Sequence, residues 1–402
     1  MKILIIHQVP YRKLDYPAAI DHDAHQVTYL GQPASLDQIP AQLRHERVVV
    51  DGDDLDDDHR FGEAALNALN AAGLAEVDSV VSMSEFGLYA GAWARARFGL
   101  PHRSDASIDR VRDKVAMKRR LSVAGIAVPR FVADAEAARE AAWTGPTIAK
   151  PRRGAGSSGV LRFDSLAQAL AATVAEPEPE PYEYEEFVTG DVLHVDGYVQ
   201  DRGLRGAIAA ECVGTPLEYA GGAVIGSVQI DDPEVVSFAE RAVRALGLTE
   251  GAVHLELFRC EPAEAGRRLV FLEIGNRVGG AGIITAYARR TGLDLAAREI
   301  RSQAGLPQPA PGSGSGRFHG FVLAGADLPA TALGYAREQI EPHADTVYLN
   351  EPTDKGTGTY HEWEVPLFVE VSDIDPDRLK QKVIRYCDQL NALRVGSESV
   401  LV

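Results

Sequence analysis

Residues 147–163 read Thr147-Ile-Ala-Lys150-Pro-Arg-Arg-Gly154-Ala-Gly156-Ser157-Ser158-Gly159-Val-Leu-Arg-Phe163. The glycines match G-x-G-x-x-G. A dinucleotide fingerprint needs that loop to leave a strand and open a helix. Here two short strands, Thr147 to Lys150 and Val160 to Phe163, flank the glycines, so the dinucleotide reading fails. A glycine-rich hairpin between strands can instead lie over phosphates, because its N–H groups are unobstructed. Lys150 ends the first strand. Read alone, the segment is equally a flexible surface hairpin.

Outward from this loop, segments patterned as strands alternate with segments patterned as helices. That alternation predicts an α/β and α+β multidomain protein. Residues 1–104 read as a parallel α/β domain, with strands at Lys2–Ile6, Val48–Val50 and Ser79–Met83. Helices are expected at Phe61–Ala72 and Leu88–Phe98. A long helix is expected over Ile108–Ala124, and Asp134 and Asp164 are candidate N-caps. The Glu-Pro repeat 176–181 reads as an extended connector. Strands then dominate, at Tyr182–Val188, Val192–Val199, Leu204–Cys212, Ala252–Cys260 and Leu269–Ile274. A helix begins at Asp232-Pro233 and ends before Gly247. Two helices flank Gly292, Pro307–Gly316 reads as a linker, and an amphipathic helix is expected over Asp377–Leu393. The expected units are 1–104, 105–310 (with a glycine-loop subdomain over about 126–188) and 311–402.

Composition narrows the class. The chain has 402 residues and a net charge of −17, with 25% charged and 45% hydrophobic residues. This is a globular balance. The acidic excess argues against a nucleic-acid or anionic-membrane partner. There is no apolar run long enough for a membrane span and no pattern of a signal peptide. Three scattered cysteines form neither a zinc pattern nor a disulfide framework. A soluble cytoplasmic protein is expected, with a homodimer as the default assembly.

The strongest chemical signal lies in two consecutive apolar strands that carry His254, Glu256, Glu273 and Arg277. If they form a hairpin closed by Glu261 to Arg268, Glu256 faces Glu273, and alternation puts His254 on the same face. Opposed carboxylates destabilise a sheet unless something binds between them, and magnesium suits that role. Lys114 alone is an ordinary helical lysine. The stretch Tyr184-Glu185-Glu186-Phe187-Val188-Thr189-Gly190-Asp191 with His194 is, alone, an acidic strand and a turn. The acidic run 51–58 lacks the calcium-loop pattern and reads as a solvated loop.

In this order, the pieces over roughly residues 1–310 resemble the ATP-grasp superfamily, most closely its L-amino-acid ligase branch of carboxylate–amine ligases. The resemblance implies an N-terminal α/β domain followed by nucleotide-clamping central and C-terminal α+β domains. It makes Lys114 and Lys150 phosphate-contacting lysines, and Gly154, Gly156, Ser157, Ser158 and Gly159 the loop closing over ATP. Glu185, Phe187 and Val188 would read adenine. Asp191 would lie near the ribose and His194 near the nucleotide. Glu256 and Glu273 would hold one or two magnesium ions, with manganese as a substitute. Arg277 would hold the carboxylate substrate. Family members often carry Asn two residues after the second metal glutamate; here that position is Gly275, and Asn276 would point away.

The implied reaction activates a carboxylate as an acyl phosphate with ATP and joins it to an amine, releasing ADP and phosphate. Arg277 and the Gly279 and Gly280 N–H groups would stabilise the oxyanion, and His254 is the candidate base. Glu85, after an N-domain strand, reads as a solvated loop acid or as a group for the substrate amine. Loop 214–222 reads as a lid or pocket wall. The partners are small-molecule acids and amines. The alternatives are a carboxylase acting through carboxyphosphate and a non-catalytic ATP-binding protein.

Overall fold

The computed structural model describes residues 1–52, 57–141, 143–175, 181–264, 266–325, 328–350 and 365–398. The N-terminal sheet is wholly parallel, in the order β3-β2-β1-β4. Its strands are β1 (Lys2–Ile6), β2 (Gln26–Gly31), β3 (Glu46–Val49) and β4 (Ser79–Ser82). β1 is central, which explains its unbroken apolar run; Leu4 and Ile5 are fully buried. β2 was not anticipated, since it starts polar and lies in a His- and Asp-rich stretch. The helices Asp58–Ala71 and Leu88–Arg97 pack on each other and on this sheet.

A four-stranded antiparallel sheet follows, in the order β5-β8-β6-β7. It comprises β5 (Phe131–Val132), β6 (Thr147–Pro151), β7 (Leu161–Phe163) and β8 (Tyr182–Glu186). β6 and β7 are the arms of the glycine hairpin. The helix Leu166–Ala175 covers one face.

The third sheet has eight strands, in the order β13-β12-β9-β10-β11-β14-β16-β15. They are β9 (Asp191–Gln200), β10 (Gly203–Val213), β11 (Ile225–Ile230), β12 (Gly251–Glu264), β13 (Arg267–Gly275), β14 (Phe318–Ala324), β15 (Thr346–Leu349) and β16 (Leu367–Asp373). Strands from either side of residue 310 therefore share one sheet. The helix Pro233–Leu246 packs on one end of it and Pro376–Glu398 on the other. The first runs from its Asp232 cap to Gly247 at φ +76°, as the sequence signals require. The pair Ile283–Thr291 and Leu295–Gln303, hinged at Gly292, packs between the large sheet and the N-terminal domain.

Several local expectations are corrected. The long helix over 108–124 is two: a turn at Asp105–Asp109, and Lys114–Val123 restarted by Asp113, whose carboxylate accepts from the Val115 and Ala116 N–H groups. Asp134 caps only a single 3-10 turn, Ala137–Glu140. Ser165, not Asp164, accepts from the Gln168 N–H at the start of the Leu166–Ala175 helix. The β12–β13 ladder resumes at Glu264 opposite Arg267, so the connection is tighter than a loop over 261–268. Residues 176–180 of the Glu-Pro connector and 53–56 of the acidic run lie outside the described residues. The solvated-loop reading fails at Asp58, which is buried and bonded to Arg112 Nε at 2.7 Å. Among the described residues, no helix is long and apolar enough to cross a membrane.

Candidate active site

The register of β12 on β13 sets Glu256 directly opposite Glu273, as the alternation predicted. A bulge follows, with Leu257 pairing with Phe271, so Leu272 is the extra residue. Both carboxylates open onto two adjoining cavities of about 300 and 410 Å³. They form the partition between them.

The first cavity lies between the small sheet and the large one. Its charged wall is Lys114 and Lys150. Lys114 Nζ donates to the Gly154 carbonyl at 2.5 Å and stands 3.5 Å from Glu273 Oε2, tying the glycine loop to the carboxylate pair. Lys150 Nζ is 2.8 Å from Glu185 Oε1. Burial alone would lower the Lys150 pKa, but Glu185 and Glu183 outweigh it and push it well above its ordinary value. The loop atoms of Gly154, Ser157 and Ser158 line this cavity. Ser157 adopts φ 60°, between Gly156 at 61° and Gly159 at 68°, a left-handed run that turns successive N–H groups inward in a compact hairpin. Gly156 lines the second cavity, and Gly159 lines neither.

At the other end of the cavity, Ile148, Phe187, Val188, Leu217, Phe258 and Leu272 make an apolar slot suited to a planar base. Arg162 stacks on the Phe187 ring at 4.4 Å. The segment 214–222 holds a short helix, Pro216–Ala220, closed by a Thr215–Glu218 capping box. Thr215 to Glu218 line the slot, so this segment is a cavity wall.

Two expected nucleotide contacts fall elsewhere. Asp191 is exposed and lines neither cavity; Gly190 and Val192 beside it line the slot. His194 lines the second cavity, because alternation along β9 turns it with Asp196 to the other side. Glu185 lines the slot, yet its carboxylate is committed to Lys118 Nζ at 2.5 Å and to Lys150. Burial would raise its pKa; the two lysines hold it at about 2. Arg152 and Arg153 do not line the cavities. Arg152 pairs with Asp113 and Arg153 with Asp109, bracing the hairpin on the preceding segment.

The second cavity lies between the N-terminal domain and the large sheet. Arg277 Nε donates to Glu85 Oε2 at 2.7 Å, and its Nη1 donates to the Val278 carbonyl at 2.9 Å. Glu85 is not a solvated loop acid. It is 7% exposed, and Arg112 Nη1 reaches its other oxygen at 3.3 Å. Burial would raise its pKa; Arg277 and Arg112 hold it down at about 2. With both oxygens bonded to guanidiniums, it is preorganised as an anion beside Arg277. Gly280 lines this cavity; Gly279 does not, and a Cβ there would meet Ile283 at 2.6 Å and Asp196 at 2.7 Å. A Cβ on Gly275 would come within 3.0 Å of Glu85 Oε2 and 3.2 Å of the Arg277 side chain, so the Glu85–Arg277 pair requires glycine there. Asn276 faces away, donating to the Ala252 carbonyl at 2.8 Å and accepting from Arg103 at 2.5 Å.

His254 does not suit a base. Its Nδ1 is 2.9 Å from Asp196 Oδ1 and its Nε2 3.2 Å from Glu256 Oε1. Burial would lower its pKa, but Asp196 dominates and pushes it up to about 10. At neutral pH it is a cation that orients Glu256. Asp196 also takes His194 Nδ1 at 2.5 Å, and His194 Nε2 reaches Ser227 Oγ at 2.8 Å.

Sequence reasoning missed Lys118, Glu183, Asp196, Arg112 and Asp58. Each is an ordinary charged residue in its local pattern. The one available signal was β8, where Glu183 and Glu185 alternate with tyrosines in a strand that the small sheet buries.

Residues 111–281 match the family model of the ATP-grasp domain. The chain carries an ATP-grasp domain. That segment contains Lys114, the hairpin, the adenine-like slot, the carboxylate pair and Arg277. The chain is also 29% identical over 245 residues to the L-arginine-specific L-amino acid ligase of Bacillus subtilis, covering 54% of this chain. It spans about half (55%) of that relative's length. Among solved structures, the L-amino acid ligase from Bacillus licheniformis superposes with a TM-score of 0.68 at 18% identity, over 96% of each chain. Carboxyaminoimidazole ribonucleotide synthase from Aspergillus clavatus, complexed with ATP, gives 0.66 at 18% identity, over 98% of this chain and 99% of that one. These structures establish the ATP-grasp fold across the whole chain.

Proposed function

We propose that this protein is an ATP-dependent carboxylate–amine ligase acting on an amino acid or amino-acid-like substrate. One observation carries the reading: Glu256 and Glu273 are shared by a phosphate-and-base cavity and by a second cavity holding Arg277. A γ-phosphate delivered from one side meets a carboxylate delivered from the other. The likeness to an L-amino acid ligase of Bacillus subtilis supports the choice of acid and amine.

In the first step a substrate carboxylate oxygen attacks the γ-phosphorus. The bond to the β–γ bridging oxygen breaks, giving ADP and an acyl phosphate. Lys114, Lys150 and the hairpin N–H groups position the phosphates and offset their charge. Glu256 and Glu273 fit a divalent cation, since they are opposed carboxylates open to both cavities; magnesium would supply further charge neutralisation there. Arg277, its Nε and Nη1 already bonded, presents the rest of its guanidinium to the carboxylate. In the second step the amine attacks the carbonyl carbon and phosphate leaves. Arg277 and the Gly280 N–H are placed to stabilise the oxyanion. His254 acts through Glu256, as a positioning residue.

The test is phosphate release with ATP and magnesium against paired panels of acids and amines. Release that needs both an acid and an amine is expected. Release that instead needs bicarbonate would establish the carboxylase reading, and ATP binding without turnover on any pair would establish a binding protein. Glu273→Gln and Lys150→Ala should each abolish ADP formation; near-normal turnover in either would overturn the site.

A further inference from the structure

The second cavity is polar at one end only. Glu85, His254, Glu256, Glu273 and Arg277 gather where it meets the nucleotide cavity. Away from them the wall is apolar: Ile225, Ala281, Ile283, Phe321 and Leu323. This wall is built on paired strands. Ile225 on β11 faces Leu323 on β14, and Ser227 faces Phe321. Behind it, Phe368 stacks on Phe321 at 5.8 Å between centroids, and Tyr219 packs into the same cluster. Ala281 holds φ 49°, an unfavourable conformation for a residue with a Cβ, between two glycines at the cavity edge.

Each carboxylate in the lining has an assigned partner. Glu85 is bonded to Arg277 and Arg112, Glu256 to His254, and Glu273 is paired with Lys114. A charged side chain pushed onto the β11–β14 wall would lose its water without gaining an opposite charge. Lys13, the lining's lysine, comes from the N-terminal wall and not from these strands.

We propose that the acid substrate is an amino acid with an apolar side chain, aliphatic or aromatic, and that β11, β14 and Ile283 form the surface that selects it. This rests on the ligase reading above. Its carboxylate sits at Arg277 and its side chain runs along Ala281 and Ile283 to Phe321 and Leu323. The choice differs from the arginine specificity in the name of the Bacillus subtilis relative. One methylene in an apolar pocket separates substrates by roughly tenfold or more, so leucine, methionine or phenylalanine should far exceed glycine.

Hydroxylamine isolates the acid side. Its nitrogen attacks the carbonyl carbon of the acyl phosphate, the carbon–oxygen bond to phosphate breaks, and a hydroxamic acid, phosphate and a proton result. Ferric ion reports the hydroxamate. With the full chain, ATP and magnesium, kcat/KM for leucine, methionine or phenylalanine should exceed that for arginine, lysine, aspartate and glutamate by at least tenfold. Equal or better rates with a charged amino acid would overturn the proposal and leave the ligase intact. Hydroxamate from no acid at all would overturn the ligase reading itself. Ile283→Glu, half-buried at the cavity edge, should shift the preference toward arginine and lysine by tenfold or more. Should it fail to fold, Ile283→Ala serves, with bulkier apolar acids gaining on smaller ones; an unchanged ranking in the folded variant would overturn the assignment of the wall.

Discussion

Two buried ion networks flank the Glu256–Glu273 pair, and they are wired differently. On the nucleotide side, Lys118 and Lys150 meet Glu183 and Glu185 on neighbouring elements of one subdomain, Lys114–Val123, β6 and β8. On the substrate side, Asp58, Arg112, Glu85 and Arg277 join the N-terminal domain, the segment before the Lys114–Val123 helix, and the end of β13. Arg112 Nη2 also donates to the Arg153 carbonyl at 2.6 Å, which adds the glycine hairpin. The first network stabilises one wall. The second holds three separate parts in register, so that Arg277 is aimed only when the N-terminal domain is docked. Both balance two cations with two carboxylates, the arrangement in which losing one member costs most.

Removing a charge from either network should separate these roles, and the largest effect belongs to Lys150. Lys150→Met should lower turnover by more than a hundredfold and cost about 3–5 kcal/mol of stability, because a buried carboxylate loses its partner beside the phosphate site. Lys118→Met should cost a similar amount in a denaturant titration while lowering turnover less than Lys150→Met, since Lys118 does not line the cavity. Equal losses of turnover would mean that the lysines act as one unit.

Arg277→Lys keeps the charge and loses the planar fork to Glu85. Acid-substrate kcat/KM should fall at least tenfold while ATP affinity stays within about threefold; a matching loss of ATP affinity would erase the division between the two cavities.

Glu85 gives the substrate-side network a pH signature. Its pKa falls from the ordinary 4.5 to about 2 on folding. A carboxylate lowered in this way stabilises the fold above pH 4.5, and that stabilisation is lost as pH falls from 4.5 toward 2. The shift corresponds to about 3 kcal/mol. Glu85→Gln should therefore be less stable than the parent at pH 7, with the deficit shrinking across that window. A deficit independent of pH would show that the pair contributes shape and not charge.

The smallest effect should come from Thr215→Val, which removes the cap of the Pro216–Ala220 helix at the mouth of the slot. A loss of about 1 kcal/mol and a rise in the Kd for ATP of less than tenfold are expected. A larger rise would make this helix part of the nucleotide site itself.

Glu256, Glu273 and the hairpin were legible because each depends on local geometry: period-two alternation, a hairpin ladder, and glycines between strands. Helix ends with a cap and a glycine, as at Asp232 and Gly247, were legible for the same reason. β11 was not, although Ile225 and Ser227 face the second cavity from it, because its sequence Ile-Gly-Ser-Val-Gln-Ile carries no strong strand signal without the neighbours that bury it. The side to which His194 points followed from β9's place in the large sheet, and the fate of His254 from Asp196 on that adjacent strand.

The amino-acid sequence by itself determined the order of the parts, the opposed carboxylates, the two lysines and the arginine beyond them, because spacing along a strand or a turn sets those positions. Only the tertiary structure decided what each charge is bonded to. Glu85 and Arg277 are 192 positions apart, and Arg112 and Asp58 are 54 apart. Their pairing depends on how sheets and domains dock, and docking follows from burying apolar faces that local sequence does not match to one another.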